Sequence, residues 1–293
     1  MIGMFANLGQ QVLSLCGLLQ PDPFKHGIQT FMKRVFPLAA IALLLLTTAC
    51  NRDTVANSSP ATNSAETPKT ISSKEQPPVN ENYSSNSVPG AIPASFAERP
   101  QLNGKATVVM TVKGKPITIE VDGTQAPITA GNFIDLVERG VYTGTNFHRV
   151  VRTPEPFVVQ GGDPQGVDPN VPINRLGTGN FIDPDTKQDR YIPLEILPAG
   201  GQAPVYGKTL KSAGIQQAPA LPHRRGALAM ARTPLPDSAS AQFYFALAEL
   251  PFLDGDYAVF GYVTNGMDVV DRIQQGDRIE SAKVTAGLEN FKK

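Results

Sequence analysis

The feature that most limits what this chain can fold into is a break in composition near residue 98. Residues 51–98 are dense in Ser, Asn, Thr, Pro and Glu, hold few large apolar side chains and show no sustained period. Such a stretch cannot bury enough apolar surface to offset its chain entropy, so it is expected to be a disordered linker. Folding is thereby confined to residues 99–293, a length suited to one domain. Across the 293 residues, 26 basic side chains face 26 acidic ones. That balance gives no reason to expect a nucleic-acid partner.

Ahead of the linker, Met32-Lys33-Arg34 is followed by an apolar run from Val35 to Leu46, broken only by Pro37, and then by Thr47-Thr48-Ala49-Cys50. A basic start, a short apolar core and small residues at a cleavage point make residues 32–50 a predicted signal peptide. The run falls short of the ~20 apolar residues that a spanning helix needs. The pattern before Cys50 resembles a bacterial lipobox, although Thr47 stands where Leu is usual. It implies lipidation of Cys50 and a membrane-anchored lipoprotein; plain signal cleavage nearby, or a buried free Cys50, is the alternative. Residues 1–31 have no role in this layout, and Met32 is the expected start.

Cys16 and Cys50 are the only cysteines and both precede the domain, which must therefore stand on packing without disulfides. His26, His148 and His223 lie far apart with no metal-ligand spacing, so no metal and no cofactor are expected. Within the domain, Ala106–Val112 and Pro116–Val121 read as a hairpin turning at Lys113-Gly114-Lys115. Thr129 is the expected cap of a helix running to Arg139, with Gly140 as its stop. Further strands are predicted at Asn146–Val151, Phe157–Gly161, Ala227–Ala231, Gln242–Ala246, Ala258–Val263 and Ala282–Ala286, and a second helix at Met267–Gln274. Between residues 160 and 227 the chain is rich in Gly and Pro yet too long for a featureless loop. Ile192–Ile196 is the expected edge strand there, because Pro193 cannot sit in a central one. Many strands and two helices predict a mainly β domain, a closed antiparallel barrel capped by helices.

Four blocks in order carry chemical information: Phe147-His148-Arg149-Val150-Val151 with Phe157-Val158-Val159-Gln160-Gly161-Gly162-Asp163; Gly226 to Ala231; Ala241 to Phe245; and Phe252-Leu253-Asp254-Gly255 with Tyr257 to Gly261. Together they resemble the cyclophilin-type peptidyl-prolyl cis/trans isomerases. The pieces Asn180–Pro184, Ile192–Ile196, Tyr206–Leu210 and Gly261–Thr264 are most similar to the cyanobacterial and thylakoid-lumen branch. The resemblance implies an eight-stranded cyclophilin-like barrel at residues 99–293. It also implies a protein exported to the periplasm or thylakoid lumen, a monomer, with proline-containing polypeptides as substrates. By position, Arg149 matches the catalytic arginine and Gln160 the residue that holds the substrate backbone. Backbone atoms at Ala231 and Arg232 and the side chain of Gln242 assist it. Phe157, Val158, Tyr244 and Leu253 match the proline pocket.

This sequence departs from the family in several places. Phe252 replaces the Trp of many members, Tyr257 replaces their His, and Val158 replaces a common Met. Loss of the indole N–H implies weakened cyclosporin binding, while an aromatic wall persists. The segment Arg152–Pro156 is longer than the usual link. His148 is expected to be structural, and His223-Arg224-Arg225 reads as a solvated basic loop.

The chemistry needs no nucleophile. Resonance raises a barrier of roughly 18–20 kcal/mol to amide rotation. A dry seat for the proline ring and one cation, placed to favour a nitrogen lone pair withdrawn from resonance, lower that barrier by preorganised electrostatics. A permanently charged guanidinium suits a buried version of this role. The rival reading is a non-catalytic chaperone or assembly factor that uses the same groove to bind proline-containing segments.

Overall fold

In the computed structural model the described residues are 91–293. The signal, Cys50 and most of the linker lie outside them. Ordered packing begins before residue 99, since Ala94–Phe96 forms a 3-10 turn and Ile92 and Phe96 rest against the core.

The strands are β1 (Gln101–Leu102), β2 (Lys105–Val112), β3 (Lys115–Asp122), β4 (Arg149–Val151), β5 (Val158–Gly161), β6 (Glu195–Ile196), β7 (Val205–Tyr206), β8 (Ala227–Met230), β9 (Phe243–Ala246), β10 (Val259–Asn265), β11 (Ser281–Ala286) and β12 (Phe291–Lys292). The helices are α1 (Pro127–Glu138) and α2 (Met267–Val270). Eight strands form one sheet in the order β11-β2-β3-β10-β8-β9-β5-β4, with every pairing antiparallel. The β2–β3 hairpin matches its prediction: Ala106, Val108, Met110 and Val112 alternate inward opposite Ile117, Ile119 and Val121. Lys113 and Gly114 both take positive φ, 51° and 66°, the turn whose twist suits a two-residue hairpin.

The barrel expected from the sequence is not drawn as a continuous ladder, because among the described residues no ladder joins β4 to β11. The segments leading into those two strands meet instead. Asn146 bridges Arg278, the Phe147 N–H donates to the Asp277 carbonyl at 2.8 Å, and the Ile279 N–H donates to that of Thr145 at 2.9 Å. The expected strand from Asn146 is therefore short, and its first residues are spent on this seam.

Helix α1 packs its buried residues Ile128, Phe133, Ile134 and Leu136 into the core. It starts two residues before the predicted cap, with Pro127 at a first-turn position where its missing N–H costs nothing. Thr129 is thus inside the helix. The cap comes from far along the chain: Glu195 accepts from the Ile128 N–H at 3.2 Å and from the Thr129 N–H and hydroxyl at 2.7 Å each. A carboxylate there meets the positive end of the helix dipole. Gly140, at φ 70°, ends the helix as predicted. Helix α2 is shorter than predicted, yet Val270 and Ile273 are both buried as their spacing required.

The long excursion between β5 and β8 does have structure, though Ile192–Ile196 forms a strand only at Glu195–Ile196, against Val205–Tyr206, with Ile192 making a single bridge to Ala239. It is fastened to α1 twice. Besides Glu195, Arg190 reaches Asp135 at 2.6 Å, and both side chains are almost fully buried.

Candidate active site

The register of three pairings sets one row of residues across the sheet: Arg149 is opposite Gln160, Gln160 opposite Tyr244, and Tyr244 opposite Ala229. Side chains in such a row share a face. Arg149 therefore stands beside Gln160 despite the long Arg152–Pro156 link. Its Nη1 donates to Gln160 Oε1 at 3.3 Å, and its Cζ lies 5.5 Å from the Phe157 ring centre. The expected burial of Arg149 is not found: its side chain is exposed. It lies at the end of β4, the outermost strand of the sheet, where no strand covers it.

Gln160 continues the chain of hydrogen bonds. Its Nε2 donates to Gln242 Oε1 at 3.3 Å, and Gln242 Nε2 donates to the Gly179 carbonyl at 2.9 Å. Gly179 is fixed in turn by Asp163, whose Oδ2 accepts from the Gly177 and Gly179 N–H groups at 2.6 and 3.0 Å. A Cβ on Gly179 would collide with the Asp163 carboxylate, so only glycine lets the loop come this close. His148 is buried beside this chain, and burial holds its imidazole below the usual value.

Next to the polar row is an apolar wall. Val158, Tyr244, Leu250 and Val259 are buried together with Ala227, Ala229 and Ala246, and Phe157, Leu253 and Tyr257 pack on them half-buried. Tyr257 meets Tyr244 edge to face at 6.1 Å. Phe252 stands at the rim, 66% exposed, stacked on Phe157 at 5.9 Å. The Ala231 N–H is already committed to the Gln242 carbonyl at 2.9 Å. Arg232 does not point freely either. It donates to the Asp256 carbonyl from Nε and Nη2, at 3.1 and 2.6 Å, and lies over the Tyr257 ring at 4.7 Å, bracing that side of the wall.

The eleven residues predicted from the sequence are thus brought into one neighbourhood by strand register, hydrogen bonds and packing. The predicted lipidation site, Cys50, lies outside the described residues. Reading the sequence missed Asp163 and Gly179 as braces, although Asp163 ends a recognised block and Gly179 directly precedes Asn180–Pro184. It also misplaced His223, which is buried rather than solvated and holds Asp254 and Tyr244 by its two ring nitrogens. Its neighbours Arg224 and Arg225 are the exposed part of that basic cluster. Among the described residues no cluster of side chains could hold a metal ion.

A groove of this kind can seat a small apolar ring on the wall while an exposed guanidinium and an amide reach the adjoining backbone. The family model for cyclophilin type peptidyl-prolyl cis-trans isomerases matches residues 107–289. A putative thylakoid lumen peptidyl-prolyl cis-trans isomerase of Synechocystis is 45% identical over 213 residues, 69% of this chain and 53% of that one. A chloroplastic peptidyl-prolyl cis-trans isomerase of Arabidopsis thaliana is 40% identical over 69% of this chain and 47% of its own. The chain thus spans about half the length of these two relatives. A probable peptidyl-prolyl cis-trans isomerase of Brucella abortus is 31% identical over 67% of this chain and 83% of its own. With the family model matching most of the described residues and these relatives agreeing with it, the chain belongs to the cyclophilin-type peptidyl-prolyl cis-trans isomerase family.

Proposed function

We propose that this protein accelerates cis/trans isomerisation of X–Pro bonds in other polypeptides. The observation that carries the reading is the placing of Arg149 beside Gln160 and over the Phe157 ring, where an apolar wall ends and a cation begins. The proline ring sits against Phe157, Val158, Tyr244 and Leu253, with Phe252 and Tyr257 closing the ends. Gln160, steadied by Gln242, holds the substrate backbone. As the amide twists, resonance is lost and the nitrogen lone pair localises. The Arg149 guanidinium donates toward it, an interaction absent in the planar ground state, so it lowers the barrier rather than merely tightening binding. No bond is broken and no proton moves.

Export belongs to the same proposal, through a signal at residues 32–50, with a lipid on Cys50 and a linker to residue 98 as tether. It is supported by the order of the basic, apolar and small residues and by the thylakoid-lumen and chloroplast relatives. The periplasm or thylakoid lumen is the compartment it implies, with exported or envelope proteins as substrates and a monomer as the working form.

Exchange NMR on an X–Pro peptide with the full chain tests the function. The expected result is cis/trans exchange accelerated well beyond the unaided timescale of tens of seconds. Peptide binding with no acceleration would instead leave a chaperone or assembly factor.

A further inference from the structure

Behind the apolar wall runs a chain of titratable groups, Tyr244 and His223 buried and Asp254 partly exposed. His223, 2% exposed, places Nδ1 2.8 Å from Asp254 Oδ1 and Nε2 2.9 Å from the Tyr244 hydroxyl. Its backbone N–H donates to the same Asp254 oxygen at 2.7 Å, so the carboxylate holds both ends of the residue. The His223 and Tyr244 rings lie nearly parallel, 13° apart. An ionised carboxylate only accepts, so Nδ1 carries the ring hydrogen. In the neutral ring Nε2 is then a bare lone pair, and Tyr244 donates to it. Among the described residues the Tyr244 hydroxyl has no other hydrogen-bond partner. The face of the same tyrosine belongs to the wall that includes Val158 and Leu253.

We propose that His223, oriented by Asp254, is a positioning residue for the proline pocket: neutral, it keeps the Tyr244 hydroxyl hydrogen turned back into the protein, and protonated, it forces that hydrogen away. This rests on the isomerase reading of the groove. The proton balance is simple. His223 takes a proton from solvent at Nε2 and becomes a donor to the Tyr244 oxygen. Tyr244 keeps its own proton, because burial raises its pKa far above neutrality. A phenolic O–H lies near the ring plane, so the hydrogen swings about half a turn around the C–O bond and loses its acceptor. A buried hydroxyl without an acceptor is costly, and the wall must give way or take in water to satisfy it. The groove then seats a proline ring less well.

Among the described residues, the groups around His223 leave Asp254 as its only charged partner. On its own segment, Arg225 pairs with Asp271 at 2.6 Å and Arg224 lies over Tyr262 at 4.0 Å. From β10, the Tyr262 hydroxyl donates to the Pro222 carbonyl at 2.8 Å. Beyond Tyr244 are Tyr257 and, over it, Arg232. Burial lowers the His223 pKa from its usual value and Asp254 opposes that shift, so the transition falls on the acid side of 6.5.

The test is the isomerisation rate of an X–Pro peptide with the full chain from about pH 7.5 to about pH 5, with 15N NMR of the imidazoles reporting which nitrogen is protonated. Wild type is expected to show KM rising about 5-fold or more as His223 protonates, with kcat nearly constant. His223→Gln offers Tyr244 an acceptor but takes no proton, and is expected to lose this acid limb. Tyr244→Phe, whatever its own KM, is expected to lose it too. Thermal unfolding at each pH identifies variants that are folded, and if His223→Gln does not fold, Tyr244→Phe decides. A KM that stays flat while His223 protonates, or an acid limb that persists in Tyr244→Phe, overturns the proposal. If the chain binds the peptide but catalyses nothing, the isomerase reading fails while Kd against pH still decides this one.

Discussion

Arg149 meets water before it meets any substrate, and this sets how much it can do. A cation screened by solvent gains strength when a peptide covers it, so the groove completes its own electrostatics on binding. Phe252 works on the same principle at the rim. Because it is 66% exposed and stacks on Phe157, Phe252→Ala is expected to move unfolding free energy by no more than about 0.5 kcal/mol while raising peptide KM several-fold. Urea unfolding and steady-state kinetics on one preparation check both. Phe252→Trp restores an indole donor, and calorimetry is expected to show tighter cyclosporin binding than wild type. At this scale the sequence pointed to Arg149, Gln160 and Tyr244 through recognised blocks, and the strand register sets them side by side. It was silent where a side chain acts on a distant partner. Nothing in His223-Arg224-Arg225 reveals that the histidine turns inward to Asp254, 31 residues away.

At the scale of elements, helix α1 anchors the long excursion that also supports the groove. Asp135 holds both Arg139, at 2.7 Å, and Arg190, which is 4% exposed. Removing the carboxylate leaves the buried guanidinium with Asp183, 3.9 Å away, as its remaining counter-charge among the described residues, so Asp135→Ala is expected to cost about 3 kcal/mol in denaturant unfolding. Periodicity revealed the hairpin, because one-sided burial leaves a regular apolar pattern, whereas α1 was read from a few spaced apolar residues although it is buried all round from Ile128 to Val137. It could not place the helix start, which depends on Glu195 arriving from 66 residues away. Strands β8 and β9 are buried on both faces, which hides alternation and leaves only an apolar run to read. The strand β7 and the seam between Asn146 and Arg278 gave no local signal at all.

For the whole molecule, the ends of the described fold are tied together by the pairing of β1 with β12. The domain proposed for residues 99–293 is therefore expected to be independent of what precedes it. Deleting residues 1–90 is expected to leave the thermal midpoint within about 2 °C and the isomerisation rate unchanged, by calorimetry and exchange NMR. Stability is also expected to depend on pH. Burial lowers the pKa of both His148 and His223 from their unfolded value, so the native state binds fewer protons than the unfolded chain as pH falls through the 6.5 region. Their contribution is present above that region and is lost as pH drops through the folded pKa. The urea midpoint is expected to be lower at about pH 5.5 than at about pH 7.5, and the difference smaller in His148→Gln.

The central claim is that Arg149 acts on the twisted amide and not on the resting peptide. Exchange NMR of an X–Pro peptide with wild type and Arg149→Ala, with Kd measured alongside, tests it directly. The account expects kcat to fall about 100-fold, roughly 2.7 kcal/mol of barrier, while Kd changes less than about threefold. An unchanged kcat, or a loss confined to Kd, would contradict it.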